Sequence, residues 1–238
     1  MTAEPIKVEC IFCRKGYDSK GIARHFLSCR EKRLKDEAEA KADKAARGDQ
    51  RVFLIKISDG PQYWLIIEAN AGTTLIDLDK FLRKIWLECC GHLSMFKING
   101  IDYEPTLDKE ADYWGEPPES ANIALGKVLG KGLSFDYEYD FGSTTYLKLK
   151  VIDERVGQLP KNSVRLLARN PEPDDRCAGC NQKATLICRY CGETACDTCA
   201  SDHDCEEGGE GDEAFSDLVN SPRMGVCGYN GPAEWKND

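Results

Sequence analysis

Two kinds of hydrophobic pattern alternate along the middle of the chain. Residues 51–60 (RVFLIKISDG) form a nearly unbroken apolar run, and residues 63–68 (YWLIIE) form a second; the turn sequence Asp59-Gly60-Pro61 between them predicts a hairpin. Over residues 74–89 the spacing changes, with Leu75, Leu78, Phe81, Leu82, Ile85 and Trp86 recurring on one face of a helix. Residues 95–98 and 102–103 predict another hairpin around Asn99-Gly100. An acidic, proline-containing loop then leads to a short helix near residues 125–129. Two strands follow, 134–139 and 145–153, joined through Phe141-Gly142-Ser143. This order of elements defines an α+β domain with a mixed or antiparallel central sheet. In residues 135–141 a period of two puts Phe135, Tyr137, Tyr139 and Phe141 on one face and the carboxylates Asp136, Glu138 and Asp140 on the other. The carboxylates suit Mg²⁺ or a basic partner, or simply water.

The pattern ahead of this domain is different. Residues 31–50 (EKRLKDEAEAKADKAARGDQ) consist of alanine and charge, with opposite signs at i, i+4 in Glu31/Lys35 and Glu37/Lys41. The helix they predict has no apolar stripe, so the expectation is a solvated spacer ended by Gly48. Charge is also unevenly distributed. The formal net charge is −9, yet residues 1–51 carry 13 basic against 9 acidic side chains, residues 52–165 carry 13 against 17, and residues 166–238 carry 6 against 15. A polyanion is therefore expected at the front of the chain and not at its end. No apolar run is long enough for a membrane helix and the start shows no signal peptide, so a reducing cytoplasmic setting is expected. There, 13 cysteines point to metal before disulfides.

Cys10 and Cys13 are followed after eleven residues by His25 and Cys29. Two ligands on a tight turn and two at i, i+4 on one helix face can close a tetrahedron around Zn²⁺. Asp18 or Ser19 can cap that helix, and Tyr17, Ile22 and Phe26 supply apolar plugs. The segment resembles a C2H2-type finger with cysteine as last ligand. In its register the base-reading positions would be Asp18, Gly21 and Arg24, and a glycine has nothing to read with. Lys15, Lys20, Arg24, Arg30 and Arg33 remain as phosphate contacts or as a solvated charged face.

The other cysteine-rich segment spans Cys177, Cys180, Cys188, Cys191, Cys196, Cys199, His203 and Cys205. Eight ligands make two tetrahedral sites, and the spacing resembles a B-box-type finger. That resemblance implies a cross-brace, with Cys177, Cys180, Cys196 and Cys199 on one ion and Cys188, Cys191, His203 and Cys205 on the other. Leu186, Ile187 and Tyr190 are the expected apolar filler. Three zinc ions are thus expected in total. Cys89 and Cys90 lack a CxxC partner and read as buried thiols, His92 as a packing or hydrogen-bonding residue, and Cys227 as a buried thiol or an extra ligand. The tail around it (SPRMGVCGYNG) is expected to dock on the central domain.

The central residues Phe53–Ile57, Leu78, Trp86, Gly91-His92-Leu93, Phe96-x-Ile98 and Tyr137-x-Tyr139-Asp140-Phe141-Gly142 resemble the plasmid pRiA4b ORF-3-like family over about residues 51–157. The resemblance implies an α+β fold and an association with mobile elements. Members commonly follow YDFG with an acidic residue, tryptophan and histidine, where this chain has Ser143, Thr145 and Leu147. The expected organisation is a finger (1–30), charged helix (31–50), α+β domain (51–165), two-zinc module (174–206), and acidic linker with Gly-rich tail (207–238). The expected function is a non-enzymatic zinc-binding adaptor whose partner is nucleic acid or protein, with no small-molecule substrate. The alternatives are a protein scaffold with purely structural zinc, and a metal-dependent enzyme using Asp136, Glu138 and Asp140.

Overall fold

A computed structural model of the chain describes residues 7–42, 50–106, 117–159, 164–205 and 214–232. It divides into two compact units. The first comprises residues 1–81, 93–139 and 146–171, and the second comprises residues 82–92, 140–145 and 172–238.

The first unit begins with a short hairpin, β1 (Val8–Glu9) and β2 (Gly16–Tyr17), and the helices α1 (Gly21–Ser28) and α2 (Arg30–Ala42). The N-cap of α1 is Lys20, without a side-chain cap, and not the expected Asp18 or Ser19; Asp18, two residues earlier, accepts the Gly21 N–H at 2.5 Å. Strands β3 (Arg51–Asp59) and β4 (Tyr63–Asn70) follow, then α3 (Leu75–Leu82). The start of α3 is fixed by a reciprocal capping box, since Thr74 Oγ1 accepts from the Asp77 N–H and Asp77 Oδ2 accepts from the Thr74 N–H, both at 3.1 Å. The remaining elements of this unit are β5 (Ser94–Ile98), β6 (Ile101–Glu104), β7 (Glu119–Ser120), α4 (Leu125–Val128), β8 (Ser134–Tyr139), β9 (Thr145–Val156) and β10 (Val164–Arg169). Eight strands form one mixed sheet in the order β10-β4-β3-β9-β8-β5-β6-β7, with β6 and β7 parallel. Asn99 (φ 52°) and Gly100 (φ 80°) make the tight turn between β5 and β6. A buried polar knot ties α3 to the sheet: Asp79 Oδ1 accepts from Ser94 Oγ at 2.6 Å and from Tyr137 Oη at 2.7 Å.

The continuous apolar runs of β3 and β4 have a simple cause: both sheet faces are covered. Phe53, Ile55 and Ile57 are buried on one face, and Leu54, Trp64 and Ile66 on the other. That second face is covered by the N-terminal segment, because Ile22, Phe26, Cys10 and Cys29 form one apolar cluster with Leu54, Trp64, Ile66, Leu167 and Ala168. Helix α2 is correspondingly not a solvated spacer. Lys32, 5% exposed, reaches Glu68 at 2.6 Å, and Asp36 and Glu39 meet Arg155 and Arg165 at 3.0 Å. A charged stripe at i, i+4, i+7 takes the place of an apolar one. The expected Glu37/Lys41 pair and the Gly48 stop lie outside the described side chains and residues.

Three further departures come from the strands. Strand β10, not foreseen, extends the sheet to Arg169 and pairs with β4. Phe141 lies beyond the end of β8 and is 45% exposed, so only Phe135, Tyr137 and Tyr139 belong to the buried face. Asp140 also lies beyond the strand, with φ 65°, so the period of two does not reach it.

The second unit contains a π-helical turn (Arg83–Leu87) that ends the apolar pattern begun at Leu75, and a three-stranded sheet. The strands of that sheet are β11 (Leu186–Cys188), β12 (Thr194–Ala195) and β13 (Phe215–Asp217), in the order β12-β11-β13, with α5 (Asp197–Ala200) beside them. Its core is small: cysteines, Ala195, Ala200, Ala214 and Phe215. Phe215 supplies the filler expected from Tyr190, which is 51% exposed. The expected acidic linker (206–213) lies outside the described residues.

Candidate metal centres

One local turn builds three of the candidate centres. At Cys10, Cys177 and Cys188 the N–H of the cysteine donates to the carbonyl five residues on, and the N–H four residues on donates back to the cysteine carbonyl. The pairs are Cys10→Lys15 and Arg14→Cys10, Cys177→Gln182 and Asn181→Cys177, and Cys188→Glu193 and Gly192→Cys188, at 2.8–3.0 Å. The fifth residue of each turn is left-handed: Arg14 (φ 60°), Asn181 (φ 59°) and Gly192 (φ 74°). The turn folds the backbone back, so both sulfurs of each CxxC face the same point.

Among the described residues, four groups of Cys and His side chains place all their ligand atoms within 4.8 Å of one another. A tetrahedral zinc site with sulfur at ~2.3 Å has ligand–ligand edges of about 3.8 Å, so such groups are compatible with zinc. In the first, Cys10 and Cys29 Sγ are 4.0 Å apart and Cys13 Sγ lies 3.2 Å from His25 Nε2. Cys13 comes from the β1–β2 turn, His25 from α1, and Cys29 from the residue that ends α1. Tyr17 stacks on His25 with ring centroids 4.0 Å apart. Burial lowers the His25 pKa, which favours the neutral, ligating imidazole.

The second group brings together Cys177, Cys180, Cys196 and Cys199, and the third Cys188, Cys191, His203 and Cys205. Cys180 and Cys196 Sγ are 3.6 Å apart, Cys188 and Cys205 3.7 Å, and Cys191 Sγ is 3.6 Å from His203 Nε2. These are the interleaved pairings that the B-box resemblance implies. His203 Nδ1 is 3.3 Å from Glu193 Oε2, which leaves Nε2 for the cluster. Gly179 passes so close that an added Cβ would lie 3.2 Å from Cys199 Sγ.

Electrostatics within the groups favour a cation. Backbone N–H groups of Cys196 and Cys180 pull Cys177 down to about 6, while hydrogen bonding among the neighbouring thiols pushes Cys199 up to about 12. In the finger, burial pushes Cys29 up to about 11. Cys177 thus ionises readily, while hydrogen bonding at Cys199 and burial at Cys29 hold those thiols protonated. A central dication would favour the thiolate form of each.

The fourth group, Cys89, Cys90, His92 and Cys227, corrects the expectation of buried thiols and accords with the alternative of Cys227 as an extra ligand. Cys90 and Cys227 are exposed and Cys89 is half-buried, so these are not buried thiols. Their ligands come from two distant segments and include no CxxC. The one local signal was the Cys-Cys-Gly-His string.

The remaining candidates fall into two sets. Lys15, Lys20, Arg24, Arg30 and Arg33 are all exposed. The carboxylates do not converge: Asp136 is exposed, Glu138 pairs with Lys97 at 2.8 Å, and Asp140 pairs with Arg223. They form none of the four groups.

No protein-family model matches the chain. No curated protein matches it either. Among solved structures, a protein of unknown function from Methanosarcina mazei Go1 (MM3350) is similar at 20% sequence identity with a TM-score of 0.44, over 51% of this chain and 71% of that one. A likeness at that level leaves function to be argued from the residues. Among the described residues no helix is long and apolar enough to cross a membrane.

Proposed function

We propose that the chain is a non-enzymatic zinc-binding adaptor of a reducing cytoplasm, whose N-terminal finger contacts the phosphate backbone of nucleic acid. The reading is supported by the five exposed cations Lys15, Lys20, Arg24, Arg30 and Arg33 on a finger that is fixed by its apolar cluster to the sheet. Such a finger presents its charge from a rigid platform. Contact is to backbone and not to bases, because Gly21 has no side chain and the Asp18 carboxylate is engaged by the Gly21 N–H. The three ligand sets foreseen from sequence each supply four donors, which fills a tetrahedral zinc and leaves no position for a substrate. Membership of residues 51–157 in the pRiA4b ORF-3-like family, with its mobile-element association, is part of the same proposal.

The test is binding of the full-length zinc-loaded chain to unrelated DNA duplexes at several salt concentrations. Five phosphate contacts give a slope of log K against log salt of about −4.5, with similar affinity for each duplex. The triple variant Arg24→Glu, Arg30→Glu, Arg33→Glu should flatten the slope by about 3. Salt-independent binding, or none, would remove nucleic acid and leave the scaffold reading, in which the acidic residues 166–238 face a basic protein.

A further inference from the structure

We propose that Cys89, Cys90, His92 and Cys227 form a fourth zinc site, and that Asp140 is the positioning residue that aims His92 at the metal. The Sγ atoms of Cys90 and Cys227 are 3.6 Å apart, His92 Nε2 lies 3.0 Å from Cys90 and 3.3 Å from Cys227, and Cys89 is 3.9 Å from Cys90. These separations match those of the three other groups and the edges of a zinc tetrahedron. They are far from the ~2.05 Å of a disulfide, and the imidazole nitrogen sits among the sulfurs.

The loop is built to make adjacent cysteines converge. Successive residues ordinarily point apart. Here the π-helical turn ends at Leu87, Glu88 turns extended (ψ 115°), and Gly91 adopts φ 81°. Arg83 fixes both ends of the loop: it meets Glu88 at 2.9 Å and donates to the His92 carbonyl at 2.7 Å. Glu88 in turn accepts the Gly91 N–H at 2.6 Å. Across the site, Cys227 has φ 52° between Gly225 (φ 74°) and Gly228 (φ 65°), a tight turn that lifts one thiol toward the loop.

Around these ligands stands an ordered outer layer. His92 Nδ1 is 3.5 Å from Asp140 Oδ1, so an N–H aimed at the carboxylate leaves Nε2 free to ligate. Asp140 is held in its left-handed conformation by the Gly142 N–H at 3.0 Å and by Arg223 at 2.5 Å. The Arg223 side chain is fully buried and donates as well to the Ser143 carbonyl at 2.6 Å, to Thr145 Oγ1 at 3.2 Å and to Cys89 Sγ at 3.7 Å. The tail segment therefore brings one ligand and the cation that balances Asp140. Zinc with three thiolates and one imidazole is left at −1, is four-coordinate and is closed to substrate. Its role is a clasp that ties residues 221–229 to the loops 88–92 and 140–143.

The experiment is zinc content per full-length chain, purified with reductant, for the wild type and four variants. The wild type should hold four ions, and Cys227→Ser three. Cys13→Ser, Cys180→Ser and Cys191→Ser should each also lose one, and these three test the finger and cross-brace sites separately. A Cys227→Ser chain with unchanged zinc overturns the fourth site whatever the others show; unchanged zinc in one of the others overturns that site alone. Asp140→Asn should keep four ions but release one of them to a competing chelator about 10- to 100-fold faster. Equal acceleration of all four would make Asp140 merely structural.

Discussion

Glu68→Gln tests whether charge can serve as a packing face. The Glu68 side chain is 1% exposed and receives Lys32 at 2.6 Å, Arg155 at 3.1 Å and Arg165 at 2.5 Å. With Asp36 and Glu39 the network holds three cations and three carboxylates, and it joins α2 to β4, β9 and β10. Burial alone would push the Glu68 carboxyl up, yet the three cations hold it down at about 2 against an ordinary 4.5. At 1.36 kcal/mol per unit, that depression corresponds to about 3 kcal/mol of stability at neutral pH. Glutamine keeps the shape and removes the charge, leaving one excess buried cation. Amide hydrogen exchange of zinc-saturated protein, read over residues 30–39 and along β4, should therefore be about a hundredfold faster. Because the folded-state value is depressed, the contribution is complete above about pH 4.5 and is lost as pH falls toward 2. The gap between wild type and variant, corrected for intrinsic exchange, should stay flat from pH 8 to 5. Protection within threefold of wild type, or a gap already closing between pH 7 and 5, would show that the ionic face contributes little.

Three further outcomes follow from the same packing. Phe26→Ala removes a ring that is 4% exposed in the cluster with Leu54, Trp64 and Ile66; a loss of about 3–5 kcal/mol is expected in urea unfolding. Stripping zinc with a chelator at neutral pH should abolish exchange protection in β11–β13, whose core is mainly cysteine and alanine, while β3, β4 and β9 stay protected. Retained protection there would mean that the module folds without metal. Gly179→Ala should weaken one ion severalfold in a chelator competition, since the new Cβ would stand 3.2 Å from Cys199 Sγ; unchanged competition would mean that Cys199 moves aside freely.

The parts of the fold legible in sequence are those in which neighbours along the chain decide the outcome. The β3–β4 and β5–β6 hairpins follow from turn chemistry at Gly60 and Asn99-Gly100. Helix α3 was legible from apolar spacing, though the spacing ran on through a π-helical turn that periodicity cannot separate from an α-helix. Helix α2 is amphipathic in its charges and not in apolar residues, so apolar spacing carries no sign of its buried face. Its buried face is Lys32, Asp36 and Glu39, and their partners Glu68, Arg155 and Arg165 lie far away in sequence. The strand β10 that carries Arg165 has a weak sequence signal for a related reason, since VRLLAR has no strict alternation and meets β4 through a bulge between Leu166 and Ala168.

The metal-site geometry divides along the same line. Cys10, Cys177 and Cys188 each open a CxxC turn that needs only its own six residues to aim two sulfurs, so the pattern announces itself in any sequence that contains it. The fourth group has no such turn. Cys89 and Cys90 follow a π-helical turn and an extended Glu88, and a left-handed Gly91 redirects the chain between them and His92. Cys227 arrives from a segment anchored by Arg223, whose own partner is the Asp140 of the YDFG string. That string looked like a carboxylate ladder suited to Mg²⁺ or water, and the left-handed turn at Asp140 converts its last member into the support of a histidine. A positive φ at a residue other than glycine costs stability, and a fully buried arginine costs more. Both costs fall around the same imidazole, which is where a bound metal would offset them.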